Sequence, residues 1–251
     1  MKIACQTITF GNERHKTDMA GIIKSVAAAG YGGMETGFFR LDVNEAGNYR
    51  KLQDEYNVKQ AAIHIGGDFN DAESVKKQLE NIPALIKTAQ TLGCENIFLS
   101  GSPANAAAGY ETICENINAL GKRLKEDGLA LSYHNHDWEI KNNYFGLYSL
   151  CGGTDPEYLS FVPDIGWIKR GGGEPVPVLE YLGGRVSNLH FKEFTADGKF
   201  TELGGGIVNF KEVYDFVKTR DFWIVAEQDA SYIGAEQSAA KNFGYIKSLM
   251  Q

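Results

Sequence analysis

Short apolar runs alternate with longer stretches of helical periodicity along the whole chain. Ile3–Ile8 reads as a first strand, and a helix follows from about Thr17, the expected N-cap, to Ala29, with Gly30 in the closing position. Met34 and its neighbours predict a second strand, and Ala46–Tyr56 the helix after it. Gln60–Ile65 predicts a third strand, followed by a long amphipathic helix over Ala72–Leu92 that stops at Gly93. Asn96–Ser100 and Ala107–Glu126 give the fourth pair. The second half keeps the rhythm. Strands are expected at Leu129–His134, Leu159–Pro163, Val186–Phe191 and Phe222–Ala226. Their helices fall at Leu147–Cys151, Pro175–Tyr181, Phe210–Thr219 and Ala235–Leu249, with Gly204, Gly205 and Gly206 in the loop after the seventh strand.

Eight strand–helix pairs in 251 residues match the size and order of a (β/α)8 TIM barrel. A doubly wound open sheet normally carries a glycine-rich phosphate turn after its first strand. Here Thr9-Phe10-Gly11-Asn12-Glu13 follows, with no GxGxxG. No linker interrupts the pattern, so one domain is expected across residues 1–251.

Composition narrows the function. The 43% of hydrophobic residues excludes a disordered chain, and no run approaches the roughly 20 apolar residues needed to cross a bilayer. The opening segment MKIACQTITF passes straight into a strand pattern with no secretory signal core, which predicts a cytoplasmic protein. A net charge of −7 without a basic stripe argues against nucleic acid as a partner. Four cysteines without a CxxC pair read as reduced, mostly buried thiols.

In a barrel of this kind, function lies at the C-terminal ends of the strands. Four of the five histidines, His64, His134, His136 and His190, fall at or just after those ends. Glu35, Asp164 and Glu227 occupy equivalent places after strands two, six and eight. The apolar runs close repeatedly on a ligand-type side chain: AAIH, LSYHNH, FVPD, SNLH, WIVAE. One such ending is ordinarily a structural histidine. Five converging on one rim bury too many ionisable groups to stand without a counter-ion, and a divalent cation resolves that cost. Mixed imidazole and carboxylate ligands suit Mn²⁺ first, with Mg²⁺, Co²⁺, Fe²⁺ and Zn²⁺ also compatible, and no thiolate joins the set.

The segments YHNHDWE (133–139), VPDIGW (162–167), NLHFKE (188–193), ELGGGIVNF (202–210) and WIVAEQD (223–229) together resemble the sugar isomerase and epimerase superfamily with the xylose isomerase-like barrel. That group also holds inosose dehydratases and DNA-repair enzymes of the endonuclease IV type. The resemblance runs from the Gln6 region to the last helix. It implies one divalent cation held from strands five to eight, with Asp164, His190 and Glu227 in the last three places. The first place departs from the pattern: His134 stands where such barrels carry a Glu, and His136 takes the place of the following His. His134 is the preferred fourth ligand, with His136 and Glu139 as alternatives. In the epimerases of the group the two glutamates act as paired proton acceptors on opposite faces of the sugar. The resemblance therefore implies a metal-dependent sugar or sugar-phosphate isomerase or epimerase that moves a proton next to a carbonyl. Loss of one Glu keeps a lyase or dehydratase, needing one base and one acid, as the alternative, and a non-catalytic sugar-binding barrel as a lesser one.

Glu227, His136 and Lys192 are the expected acid–base groups. Glu35, His64, Trp167 and Lys192 are the expected contacts to a small sugar, polyol or keto-sugar, with Phe38 a second apolar face and Gln6 a weaker contact. For Lys192 the competing reading is a rim salt bridge to Glu193 or Glu35. Asp229 is placed to orient a ligand from behind. Where the family often carries a Glu after the first glycine of its strand-seven loop, this chain has Gly205. Barrels of this kind often self-associate, so a homo-oligomer is compatible with the sequence.

Overall fold

A computed structural model describes residues 1–101, 103, 104 and 106–251. Eight parallel strands make the sheet: β1 (Lys2–Gln6), β2 (Gly33–Gly37), β3 (Lys59–Gly67), β4 (Asn96–Gly101), β5 (Ala130–Tyr133), β6 (Ser160–Phe161), β7 (Leu189–Phe191) and, after the hairpin β8 (Glu193–Phe194) and β9 (Phe200–Thr201), β10 (Trp223–Ala226). Their order is β6-β5-β4-β3-β2-β1-β10-β7. The two outer strands meet through the parallel bridges Phe161↔Val186 and Asp164↔His190, which close the sheet into a barrel. This is the (β/α)8 architecture the sequence predicts. The helices are α1 (Asn12–Thr17), α2 (Met19–Ala28), α3 (Ala46–Glu55), α4 (Ala72–Leu92), α5 (Ala107–Glu126), α6 (Lys141–Gly153), α7 (Ile165–Arg170), α8 (Pro175–Leu182), α9 (Phe210–Val217) and α10 (Ala235–Leu249).

Side-chain alternation sorts each strand into two faces. Outward residues such as Ile3, Cys5, Ile63, Ile97 and Leu131 pack under the helices in the main core. A second, smaller cluster holds Ala4, Ala61, Ala62, Phe98, Val162 and Val225, all but Ala61 at inward positions of their strands. Mixing alanines with a phenylalanine and two valines fills the narrow lumen without a pore. Two residues further along each strand, the next inward position carries a polar group: His64 after Ala62, Ser100 after Phe98, Asp164 after Val162, Glu227 after Val225. The plug of the barrel is thus also the floor of the site.

Local differences from the sequence reading have local causes. The first strand ends at Gln6 because its Oε1 accepts from Ile8 N and turns the chain into a 3-10 segment over Thr7–Phe10. The cap of the first long helix is Asp18, which accepts from Gly21 N, while Thr17 ends a separate short helix and donates back to Glu13 O. The helix expected only from Leu147 belongs to a segment starting at Lys141, where Asn142, Asn143 and Tyr144 hold left-handed backbone. Neither α7 nor the β8–β9 hairpin was foreseen. All four cysteines are free, and three are buried.

Gly166 lets α7 sit on the end of β7. A Cβ there would stand 2.3 Å from the Lys192 carbonyl oxygen and 3.0 Å from the Lys192 Cβ. Gly166→Ala is therefore expected to lower the unfolding free energy by about 1–3 kcal/mol, read from urea denaturation.

Candidate metal centre

Four side chains from four neighbouring strand ends meet at the mouth. His134 Nε2 lies 3.2 Å from both Asp164 Oδ2 and Glu227 Oε2, and His190 Nδ1 lies 2.5 Å from Glu227 Oε2. One ligand atom from each of these four buried residues fits within 4.8 Å of the others. Two imidazoles and two carboxylates converging in a buried volume form a donor set that suits a divalent cation. The carboxylates press positive charge onto their neighbours. Burial works against charging His190, yet Glu35 and Glu227 push its pKa up to about 10. His134 is likewise raised, its hydrogen bonds to Asp164 and Glu227 outweighing burial. That excess negative charge is what a divalent ion would neutralise.

The four side chains are held from behind. Asp164 divides its carboxylate: Oδ1 caps α7 by accepting from Trp167 N at 2.8 Å, which leaves Oδ2 for the centre. Asn135 Oδ1 accepts from Asp164 N at 2.9 Å and fixes its backbone. His134 Nδ1 lies 3.2 Å from Ser100 Oγ, and Ser100 Oγ lies 2.8 Å from His64 Nε2. His64 Nδ1 is 2.7 Å from Glu35 Oε1, and Glu35 Oε2 is 2.7 Å from His190 Nε2. One consistent set of protons runs His134 Nδ1–H to Ser100, Ser100 O–H to His64, and His64 Nδ1–H to Glu35. A cation at the centre would take the place of the proton that His134 Nε2 otherwise shares with Asp164 and Glu227, leaving that nitrogen free to ligate. Ser100 was missed in the sequence, although its inward parity two residues after Phe98 marks it.

The geometry sorts the remaining expectations. His134, not His136 or Glu139, joins the cluster. Glu139 turns away and accepts from Tyr133 OH and His136 N, each at 2.7 Å, so it braces the chain just past β5. Glu35 is fully buried beneath His64 and His190, with both oxygens at imidazole nitrogens, and does not reach the open mouth where a substrate would touch it. His64 too is engaged through both nitrogens. Gln6 is turned into the backbone at Ile8, and Phe38 packs against the core. The fifth histidine, His15, bonds Gly11 O and Thr7 Oγ1 away from the site.

Lys192 does not pair with Glu193 or Glu35. Its ammonium lies 3.1 Å from Glu227 Oε1, 3.0 Å from Asp229 Oδ2 and 3.8 Å from Asp164 Oδ2. Burial opposes its charge, but Glu227, Asp164 and Asp229 raise its pKa, and the same contact helps hold Glu227 well below the ordinary carboxylate range. The Trp167 ring covers this ammonium at 4.8 Å. His136 stacks on Trp138 at 4.1 Å and stands 5.3 Å from Trp167. Burial, then the nearby His134 and Lys192, depress its pKa to about 2, so the ring stays neutral. Among the described residues, His136 Nδ1, Trp138 Nε1 and Trp167 Nε1 are buried and find no hydrogen-bond partner. Below the glycine loop, Glu193 Oε1 accepts from Ile207 N at 3.0 Å and Val208 N at 3.2 Å, and Gly206 leaves room for that carboxylate.

Burial lifts Glu139 from 4.5 to about 7. A carboxyl whose folded pKa is raised gives its full stability below the unfolded value and loses it as pH rises through the folded one. The wild-type melting temperature should therefore fall relative to that of Glu139→Gln between pH 4.5 and about 7. Parallel curves for the two proteins would contradict this.

The profile of the xylose isomerase-like TIM barrel family matches residues 23–249. The inosose dehydratase of Halalkalibacterium halodurans is 27% identical, across 91% of this chain and 86% of that protein. That of Salmonella typhimurium is 28% identical but aligns over 57% of this chain and only 54% of its own length. Among solved structures, a sugar phosphate isomerase/epimerase from Parabacteroides distasonis superposes with a TM-score of 0.80 at 20% identity, covering 98% of this chain and 96% of that one. A probable 3-DHS dehydratase from Bacillus anthracis gives 0.83 at 16% identity, with 98% and 99% covered. These two likenesses establish the shared barrel. Among the described residues no helix is long and apolar enough to cross a membrane.

Proposed function

The chain belongs to the xylose isomerase-like TIM barrel family, and we propose that on this scaffold it is a metal-dependent enzyme that eliminates water from a small keto-sugar or keto-polyol. The observation that carries the reading is the 3.1 Å contact between Glu227 Oε1 and Lys192 Nζ. It sets a base and an acid side by side on one flank of the centre. Two-base epimerisation needs a second carboxylate on the opposite face. His134 fills that strand position, Glu35 lies beneath the imidazoles, and Glu139 is turned into the backbone. This reverses the order reached from the sequence, where isomerase or epimerase came first. The relatives named inosose dehydratases support the same direction.

In this reading His134, Asp164, His190 and Glu227 hold one divalent ion, Mn²⁺ being the first choice. When bound, that ion supplies positive charge for the substrate's carbonyl oxygen. Glu227 removes the proton from the carbon next to the carbonyl. The freed electron pair forms the new carbon–carbon double bond as the bond to the neighbouring hydroxyl breaks. Lys192 gives that hydroxyl a proton, so water leaves. The proton on Glu227 then passes to Lys192, and both groups return to their starting state. Neutral His136 and the ring N–H groups of Trp138 and Trp167 are suited to hold substrate hydroxyls, with the indole faces against C–H groups. An isomerase is the second reading, because Glu227 returning its proton to the adjacent carbon also needs no second carboxylate.

Glu227→Gln should lower kcat by about 10²–10⁴-fold with an unchanged far-ultraviolet circular dichroism spectrum; near-normal turnover would remove Glu227 from its role. Chelation should abolish activity and added Mn²⁺ restore it. Product mass decides the chemistry: lighter than substrate by one water for dehydration, unchanged for isomerisation.

A further inference from the structure

Among the described residues Lys192 is the one buried lysine or arginine, 2% exposed. Its place is built rather than incidental: α7 closes over its backbone at Gly166, and Trp167 lies across its ammonium. Two of its three carboxylate partners, Asp164 and Glu227, are also in the cluster suited to a cation. The sharing extends to single atoms. Asp164 Oδ2 faces both His134 Nε2 at 3.2 Å and Lys192 Nζ at 3.8 Å. Glu227 divides itself, Oε2 toward the two imidazoles and Oε1 toward Lys192. The third partner, Asp229, is more exposed and lies outside the cluster.

We propose that Lys192 is a resident counter-ion of the metal centre, holding Asp164 and Glu227 together before a divalent ion arrives and then competing with that ion for the same carboxylates. Asp229 draws the ammonium aside and limits the competition. The inference rests on the metal-dependent reading above. Its physical basis is that two buried carboxylates without a cation repel each other and are costly to desolvate, whereas a fixed ammonium beside them offsets that cost and repels a second cation. The centre is thereby tuned for preassembly at the expense of affinity.

The two parts of the device predict opposite effects, which a merely structural role does not. Titration of Mn²⁺ alone into metal-stripped protein, followed by calorimetry, is expected to show about 10–100-fold tighter binding for Lys192→Met and about tenfold weaker binding for Asp229→Asn. In EDTA, Lys192→Met should lose on the order of 10 °C in melting temperature, and saturating Mn²⁺ should recover most of it. Unchanged or weaker Mn²⁺ binding by Lys192→Met, or an equal thermal loss with and without Mn²⁺, overturns the proposal. If Lys192→Met does not fold, Asp229→Asn decides, and unchanged or tighter Mn²⁺ binding overturns it. Wild-type protein that takes up none of Mn²⁺, Mg²⁺, Co²⁺, Fe²⁺ or Zn²⁺ overturns the metal reading itself. Normal uptake with both variants unaffected overturns only the role of Lys192.

Discussion

The arrangement at the barrel mouth is governed by the mutual repulsion of acidic groups packed into one buried space. Glu35, Asp164 and Glu227 are each 5% exposed or less, and Asp229 stands beside them. An unpaired carboxylate in such surroundings would be prohibitively costly. Nearly every neighbouring feature answers that demand. Lys192 brings a full positive charge, His64 and His190 flank Glu35, and the first turn of α7 offers a backbone N–H to Asp164. Trp167 shields the ammonium from water, which strengthens each of these attractions.

Much of this was legible in the sequence because strand alternation is strict. A residue two places beyond an inward alanine, phenylalanine or valine must also point inward, so AAIH, FVPD and WIVAE announce where His64, Asp164 and Glu227 lie. The ladder arithmetic failed where a side chain bonds its own vicinity. Glu139 looked like a spare ligand, yet its oxygens are taken by Tyr133 and His136 six and three residues back. Glu35 read as a substrate contact because its strand end is correct, but pattern alone does not give depth along the barrel axis. Helix α7 was invisible for another reason. Its six residues are too few for periodicity, and its start depends on an aspartate that the pattern assigns to the centre.

The flanking residues explain why the centre is lopsided. On the side of β7 and β10 stand a carboxylate and an ammonium in contact. On the side of β5 stands a neutral imidazole beside two indoles. One half carries opposed charges in contact, and the other is neutral and aromatic. Epimerases of the resembling kind need symmetry across the sugar. The function proposed above makes the first half the reactive one and the second the one that recognises substrate.

Asp164 serves two masters, one oxygen ending a helix and the other facing the imidazoles. Asparagine begins helices about as well as aspartate does. Under the function proposed above, a single exchange at this position would silence the chemistry while sparing the scaffold, leaving an inert but well-folded descendant. On the proposed reading, a barrel that holds its ligand without turning it over is only one amide away.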